Sequence, residues 1–166
     1  MKKYSIILVV LLQSFVAAVF SQSTKDRFQI TTDKNTIWFK DVNMDNYAGF
    51  PIKNKNGETI GNPSSKFCSI EKLKKIEQDL YNEEEQNYLF TKYKPKAIVV
   101  VRANDGKIVS VAFVFNNLVD WAIIDTKKLR KLQERIMAEI TYEDLLFNGQ
   151  KAVSGYMLAS IWFFKN

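Results

Sequence analysis

Apolar and polar positions follow the clearest pattern between residues 96 and 117, where two apolar runs flank the turn signal Asp105-Gly106. The runs are rich in Val and Ile, whose branched side chains pack well on a pleated surface and lose rotamer freedom in a helix. Asp-Gly at the centre of a two-residue turn suits type I′ geometry, in which both central residues need positive φ. The pattern therefore predicts a β-hairpin, with strands over residues 98–101 and 108–115.

The second strand of this hairpin is apolar on both of its faces. One face carries Ile108, Ala112 and Val114, and the other carries Val109, Val111, Phe113 and Phe115. A strand that is apolar on both faces is covered on both, which is the situation in the middle of a sheet. We therefore expect residues 108–115 to form a central strand.

Shorter runs predict the remaining strands. Residues 28–31 and 36–39 flank the polar residues 33–35, an arrangement typical of a hairpin. A second turn signal, Asn148-Gly149, lies between residues 141–147 and a long apolar run over residues 152–164. Because such turns join neighbouring strands, we expect antiparallel pairing.

Two segments repeat apolar residues at helical spacing. The first follows a predicted N-cap at Ser69, and its apolar positions are Ile70, Leu73, Ile76 and Leu80. We expect this helix to end within residues 82–87, and we interpret Glu83-Glu84-Glu85 as a solvated, helix-ending charge run. The second helix starts at Asp125 or Thr126, and its apolar positions are Leu129, Leu132, Ile136 and Ile140.

These elements predict an α+β fold: a mainly antiparallel β-sheet with two helices, in a single domain over residues 28–166. In the C-terminal half the order is β-β-α-β(-β), with the helix packed on the sheet. At 46% hydrophobic and 13% aromatic residues, the chain has enough apolar side chain to build a core.

The N-terminus predicts export. Lys2 and Lys3 precede an apolar run over residues 4–20, and small and polar residues follow, as in a secretory signal peptide. As a helix this run is about 25 Å long at ~1.5 Å per residue, shorter than a hydrocarbon core of ~30 Å. We therefore prefer a cleaved signal peptide over residues 1–21, and a flexible lead over residues 22–27, to an uncleaved anchor. The protein is then periplasmic or secreted, with no stable membrane anchor after cleavage.

Composition removes several kinds of chemistry. The chain has no histidine, which is the commonest general base and metal ligand. Its one cysteine, Cys68, allows no intramolecular disulfide, and we interpret it as a small buried hydrophobe. The net charge of +6 is dispersed and interleaved with acidic residues, so we expect no nucleic-acid partner.

No acidic motif has the spacing that a site needs. Asp41-x-Asn43-x-Asp45 opens like a calcium loop, but Asn46 stands at the glycine position and Ile52 at the bidentate carboxylate position. Adjacent carboxylates on a helix point about 100° apart and cannot converge on one substrate. We therefore assign no catalytic, cofactor or metal residues.

Three local features resemble the TonB C-terminal domain family of Gram-negative envelopes. They are the Asp105-Gly106 hairpin, the Ile124-Asp125 helix start, and Asn148-Gly149 with the closing Ala159-Ser160-Ile161-Trp162-Phe163. The resemblance covers about seventy C-terminal residues, and the chain as a whole resembles small exported proteins of Gram-negative bacteria. It implies a three-stranded antiparallel sheet with a helix on one face, and a module that binds an envelope protein or peptidoglycan by its strand edges.

Two clusters of aromatic residues are candidates for partner binding. Tyr47 and Phe50 lie in an irregular stretch, where they either face a ligand or pin the loop to the core. The closing run carries Val153, Met157, Ile161 and Phe163 on one face and Tyr156, Leu158, Trp162 and Phe164 on the other. One face has to pack on the helix, so the second meets either the N-terminal half or a partner, including a second copy. Tyr156 and Trp162 would be its anchors.

The sequence thus predicts an exported, non-enzymatic binding module. The alternative is a small extracytoplasmic hydrolase that uses carboxylate or serine chemistry.

Cell fractionation tests the export prediction. A C-terminally tagged chain should be recovered outside the cytoplasm without its first residues, because signal peptidase removes the segment that carries Lys2 and Lys3. Mass spectrometry of the purified N-terminus identifies the cleavage point. Cytoplasmic recovery of a chain that retains Met1 would contradict export.

Overall fold

The computed structural model describes residues 28–61, 63–67, 69–116 and 123–164. In these ranges the chain forms eight strands and three α-helices. The strands are β1 Phe28–Asp33, β2 Thr36–Asp41, β3 Ser64–Phe67, β4 Lys96–Arg102, β5 Ile108–Asn116, β6 Tyr142–Phe147, β7 Gln150–Lys151 and β8 Tyr156–Trp162. The helices are α1 Ile70–Leu80, α2 Glu83–Tyr93 and α3 Thr126–Glu139, and a short 3₁₀ helix spans Met44–Tyr47. The predicted signal peptide, the lead and Cys68 lie outside the described residues.

The α+β fold with a mainly antiparallel sheet is confirmed. Five strands form the large sheet in the order β1-β2-β5-β4-β8, and each adjacent pair is antiparallel. The predicted central strand, β5, is the middle strand of the five. Strands β3, β6 and β7 form a second, small antiparallel sheet.

One face of the large sheet, here called the inner face, packs against the helices. Val111, Phe113 and Phe115 of β5 are buried in one cluster with Leu132 and Ile136 of α3. Aromatic rings interlock there in edge-to-face pairs, such as Phe39 with Phe115 at 5.7 Å between ring centroids. Ile108, predicted on the opposite face, also joins this cluster, because the β4–β5 register shifts between Val100 and Val101.

The turn between β4 and β5 is not the predicted two-residue type I′ turn. Asp105 lacks positive φ, and the loop closes where the Arg102 N–H donates to the Lys107 carbonyl and the Gly106 N–H donates to the Arg102 carbonyl. Gly106 has φ +69, and a Cβ there would lie 1.8 Å from the Tyr142 carbonyl oxygen. The sequence signal identifies the glycine correctly. A second reason for glycine at this position is the close packing of Gly106 against the start of β6, which is a tertiary contact.

Helix α2 is not predicted by the sequence. It begins at Glu83, within the stretch where the sequence analysis expects α1 to end. Asn82 caps it: its side chain accepts from the Glu85 N–H, and the Glu85 carboxylate accepts from the Asn82 N–H. The interpretation of Glu83-Glu84-Glu85 as helix-ending is therefore wrong, since negative charges stabilise a helix N-terminus. Ser69 stands at the N-cap position of α1, as predicted, but its side chain makes no capping hydrogen bond.

The long closing run is divided between the two sheets. Asn148 and Gly149 both have positive φ, which confirms the predicted turn, but β7 is only two residues long. The chain then crosses to the large sheet past Gly155, where a Cβ would lie 2.2 Å from the Pro51 carbonyl oxygen. This crossing leaves Val153 exposed although the alternation predicts it beside the buried Met157.

The last described residues are anchored in the core. Phe164, predicted on the face of Trp162, instead turns inward with φ +56, and its ring lies 5.0 Å from that of Tyr81. Its N–H donates to the buried carboxylate of Glu77 at 3.3 Å. Burial raises the pKa of Glu77 to about 7, against the smaller lowering effects of the Phe164 hydrogen bond and of Lys74.

Val111→Asp tests the central position of β5. Val111 is fully buried on the inner face, and an unpaired charge there costs several kcal/mol out of a typical ~5–15 kcal/mol for a domain. We expect loss of cooperative melting by circular dichroism. The matched control is Ile70→Asp, an exposed site in the first turn of α1, which should melt close to the wild type. A Val111→Asp protein that melts like this control would show that β5 is not central.

Glu77 makes the stability depend on pH. Because its pKa is raised in the folded state, folding favours the protonated form, so the free energy of unfolding should fall as pH rises from about 4.5 to 7. A shift of this size corresponds to about 3 kcal/mol. Glu77→Gln should flatten this part of the profile, measured by urea unfolding at several pH values, whereas Glu71→Gln on the exposed side of α1 should leave it unchanged. A Glu77→Gln profile that follows the wild type would contradict this assignment.

Candidate functional site: an aromatic groove on the outer sheet face

The face of the large sheet opposite the helices, here called the outer face, carries the candidate site. The strand register places one row of side chains across all five strands. The row consists of Thr31, Trp38, Val114, Lys96 and Trp162. The helices contribute their buried side chains to the core on the inner face. Among the described residues outside the strands, the loop that follows β2 lies against the outer face.

This loop, residues 42–51, forms a wall over one end of the outer face. Its 3₁₀ helix ends at Tyr47, whose ring lies 4.8 Å from the ring of Tyr156 on β8. The ring of Phe50 lies 6.1 Å from Tyr156, and the Phe50 carbonyl accepts from the Tyr156 N–H at 3.3 Å. The structure thus brings together three of the four residues predicted to bind a partner. Neither predicted alternative describes the loop fully: Tyr47 is half-buried, while Phe50 is 58% exposed.

Trp162, the fourth predicted residue, lies apart from this cluster. It is six residues from Tyr156 along β8, about 20 Å at ~3.3 Å per residue, and is 51% exposed. Its ring lies 5.9 Å from the Lys96 Nζ, close enough for a cation–π contact. Between these two aromatics, Leu158 is 68% exposed. The outer side of β8 therefore carries two exposed apolar side chains, Leu158 and Trp162, with Ser160 between them.

Between the wall and the sheet lies a groove of about 940 Å³. Its floor is formed by side chains of the central strands, and its walls by the loop and β8. The apolar and aromatic lining consists of Trp38, Met44, Tyr47, Ala48, Phe50, Pro51, Ile98, Val100, Tyr156, Met157 and Leu158. The polar side chains of the lining are Thr31, Asp33, Lys40 and Asp45. The groove is thus an apolar channel with a small number of polar groups near its rim.

Two cationic side chains in and beside the groove, Lys40 and Arg102, are paired with carboxylates. The Lys40 ammonium lies 2.6 Å from the Asp45 carboxylate. Arg102 lies on the same face as Tyr156 and forms a bidentate ion pair with Asp105. This ion pair lowers the pKa of the Asp105 carboxyl. Because these charges neutralise one another, the groove offers mainly apolar surface to a ligand.

The Asp41-x-Asn43-x-Asp45 motif does not converge on a cation position. The Asp41 carboxylate is buried, and it accepts from the Asn43 N–H and from the Gln133 side chain of α3 at 2.5 Å. Asp45 is directed to Lys40 instead. The motif therefore anchors the start of the loop to the core. Within the described ranges, no three Cys, Asp or Glu side chains are grouped as metal ligands. None of the helices found in those ranges has the length and hydropathy to cross a bilayer.

Sequence reasoning missed Trp38 and Ile98 as groove residues. Trp38 lies in an alternating strand pattern that predicts a hairpin, but not which face stays open. Ile98 lies in an apolar run that looks fully buried, and it is only half-buried. The missing information was the pairing of β2 with β5, since that pairing alone places Trp38 and Ile98 on one surface.

Comparison with known proteins gives the fold. No family model matches the chain, and no curated protein matches it. The structure is similar to the crystal structure of a DUF5043 family protein from Bacteroides uniformis ATCC 8492, determined at 1.85 Å resolution. The similarity has a TM-score of 0.52 and 14% sequence identity, and it covers 82% of this chain and 90% of that chain. At this identity the likeness shows that the two chains share a fold.

Proposed function

We propose that the protein is an exported, non-enzymatic binding module that holds an extended segment of a partner protein in the groove on the outer face. The observation that carries the proposal is the cluster of Tyr47, Phe50 and Tyr156 at the mouth of an apolar groove. Large aromatic side chains in such a position supply most of the energy of many protein interfaces.

The chemistry of the groove favours apolar side chains as ligands. Two of the four polar side chains of its lining, Lys40 and Asp45, are paired with each other. A sugar or nucleotide would need several free, directed hydrogen-bonding groups, whereas an extended protein segment needs pockets for alternate side chains. A groove of about 940 Å³ has room for several side chains. We therefore prefer a protein segment to peptidoglycan as the occupant.

Binding is also better supported than the hydrolase alternative. Hydrolysis by carboxylates would need two acidic groups from separate elements aimed at one substrate position. Asp33 and Asp45 both line the groove, but Asp45 is engaged by Lys40. The basic and apolar N-terminal segment and the resemblance to TonB C-terminal domains support a place for this module in the Gram-negative envelope.

Tyr156→Ala tests the groove. Tyr156 contacts both Tyr47 and Phe50, so its removal should open the mouth and abolish retention of the partner, at a modest cost in stability because Tyr156 is only half-buried. The measurement is a pull-down from envelope extract with immobilised wild type and variants, with retained proteins identified by mass spectrometry.

The matched control is Tyr88→Ala, which removes an aromatic that is 41% exposed on α2, away from the outer face. A partner that binds the groove is retained by the wild type and by Tyr88→Ala, and is lost with Tyr156→Ala and Phe50→Ala. Retention by all four proteins would place the partner elsewhere. Co-sedimentation with purified sacculi and no retained protein would overturn the choice of a protein segment.

A further inference from the structure

Strand β8 forms one edge of the large sheet, and the direction of its backbone groups follows from its contacts. Phe163, one residue beyond β8, donates its N–H to the Pro95 carbonyl on the side of β4. Tyr156 donates its N–H in the opposite direction, to Phe50. Because backbone groups alternate along an antiparallel strand, Met157, Ala159 and Ile161 bond to β4. The N–H and C=O groups of Leu158, Ser160 and Trp162 therefore point away from the sheet.

Nothing in β8 protects this edge against pairing. Natural edge strands are usually blunted by charged residues, by proline or by a bulge. The β8 sequence, Tyr-Met-Leu-Ala-Ser-Ile-Trp, contains no charge and no proline. Its register with β4 runs without a shift from Met157 to Trp162. The edge is thus a regular, uncharged template for another strand.

The side chains at the three outward positions have a symmetrical arrangement. Leu158 and Trp162 lie two residues before and two residues after Ser160, and all three are exposed on the outer face. When two copies of an antiparallel strand pair about a residue, each residue before the centre lies opposite one at the same distance after it. Centred on Ser160, such pairing sets Leu158 opposite the partner's Trp162.

From this symmetry we infer that β8 pairs with β8 of a second copy of this chain, antiparallel about a two-fold axis at Ser160. The pairing forms about six backbone hydrogen bonds and joins the two five-stranded sheets into one. Each exposed Trp162 then covers the partner's Leu158, which removes the two exposed apolar side chains of β8 from water. Only a small serine lies at the axis, where two copies of one side chain must meet.

This second copy is a better occupant of the edge than an unrelated peptide because the edge is complementary to itself. An uncharged strand brings no like charges together on self-association. The pairing also leaves the groove accessible, since the groove wall at Phe50 lies at the Tyr156 end of β8. In the paired strands, the second copy would reach this wall with the residues that follow its Trp162. Phe164 turns inward to the core in each copy, so the second copy's chain leaves the sheet before it reaches the wall. Dimerisation thus covers Leu158 at one side of the groove and leaves the aromatic mouth formed by Tyr47, Phe50 and Tyr156 accessible.

Sedimentation velocity of the purified protein tests the dimer. Concentrations of about 1 to 200 µM cover the range of Kd expected for a small interface. We expect a monomer–dimer equilibrium for the wild type. Leu158→Lys places a charge in the interface, and Ser160→Pro removes an outward N–H without removing a bond to β4, so both should be monomeric. Ile30→Lys, at an exposed site on the opposite edge strand, should dimerise like the wild type. Melting temperatures measured at low concentration verify that each variant is folded.

A disulfide cross-link tests the register itself. Opposite residues in a hydrogen-bonded antiparallel pair have Cα atoms about 5.5 Å apart, within the range that a disulfide spans. In a Cys68→Ser background, Ser160→Cys should form a covalent dimer on a non-reducing gel, whereas Ser154→Cys, an exposed site before β8, should not. A wild type that is monomeric at every concentration, or a dimer that persists in Leu158→Lys, would overturn the inference. So would a Ser160→Cys protein that is dimeric in solution but does not cross-link.

Discussion

Strand β5 has apolar side chains on both of its faces, and most of the structure is arranged so that these side chains are buried. Its inner side chains Val111, Phe113 and Phe115 are buried against the helices. Its outer side chains Ala112 and Val114 are also buried, although the three described α-helices contribute their buried side chains to the opposite face. The neighbouring strands β2 and β4 therefore have to flank it closely, and this pairing ties the N-terminal hairpin to the C-terminal half. A strand that buries nearly every side chain leaves little freedom for the order of the sheet.

The two faces of the large sheet differ in their cover because the three described helices all pack against the inner face. Leu73 of α1, Tyr93 of α2 and Leu132 of α3 enter the same buried cluster on the inner face. On the outer face, the part of the chain that the structure describes places the loop after β2, which covers one end of that face. The groove exists at the boundary between the covered and the open part of that face, and this explains why its floor is rigid sheet and its wall is a loop. Such a combination is common in binding sites, where a stable scaffold positions adaptable segments.

Close backbone contacts connect the two sheets. Gly106 lies against the carbonyl of Tyr142, and Gly155 lies against that of Pro51. Both glycines have positive φ and both sites exclude a Cβ, so they hold the small sheet and the loop at fixed positions relative to the large sheet. Through Gly155 the loop at Pro51 is tied directly to the start of β8. The position of Phe50 beside Tyr156 is therefore a consequence of backbone packing as much as of aromatic contact.

The sequence by itself determined the fold class, the central strand β5, the amphipathic helices α1 and α3, and the alternation of Met157 and Ile161 with Tyr156 and Trp162, because these depend on local periodicity. It identified Tyr47, Phe50, Tyr156 and Trp162 as candidate residues for partner binding. Only the tertiary structure decided that the first three meet and that Trp162 stays apart, since their contact depends on where a distant loop folds. The same holds for α2, whose capping box outweighs its polar composition, and for the closing run, which the contact of Gly155 with Pro51 divides between two sheets. Local patterns specify which residues alternate; long-range strand pairing specifies which surface they share.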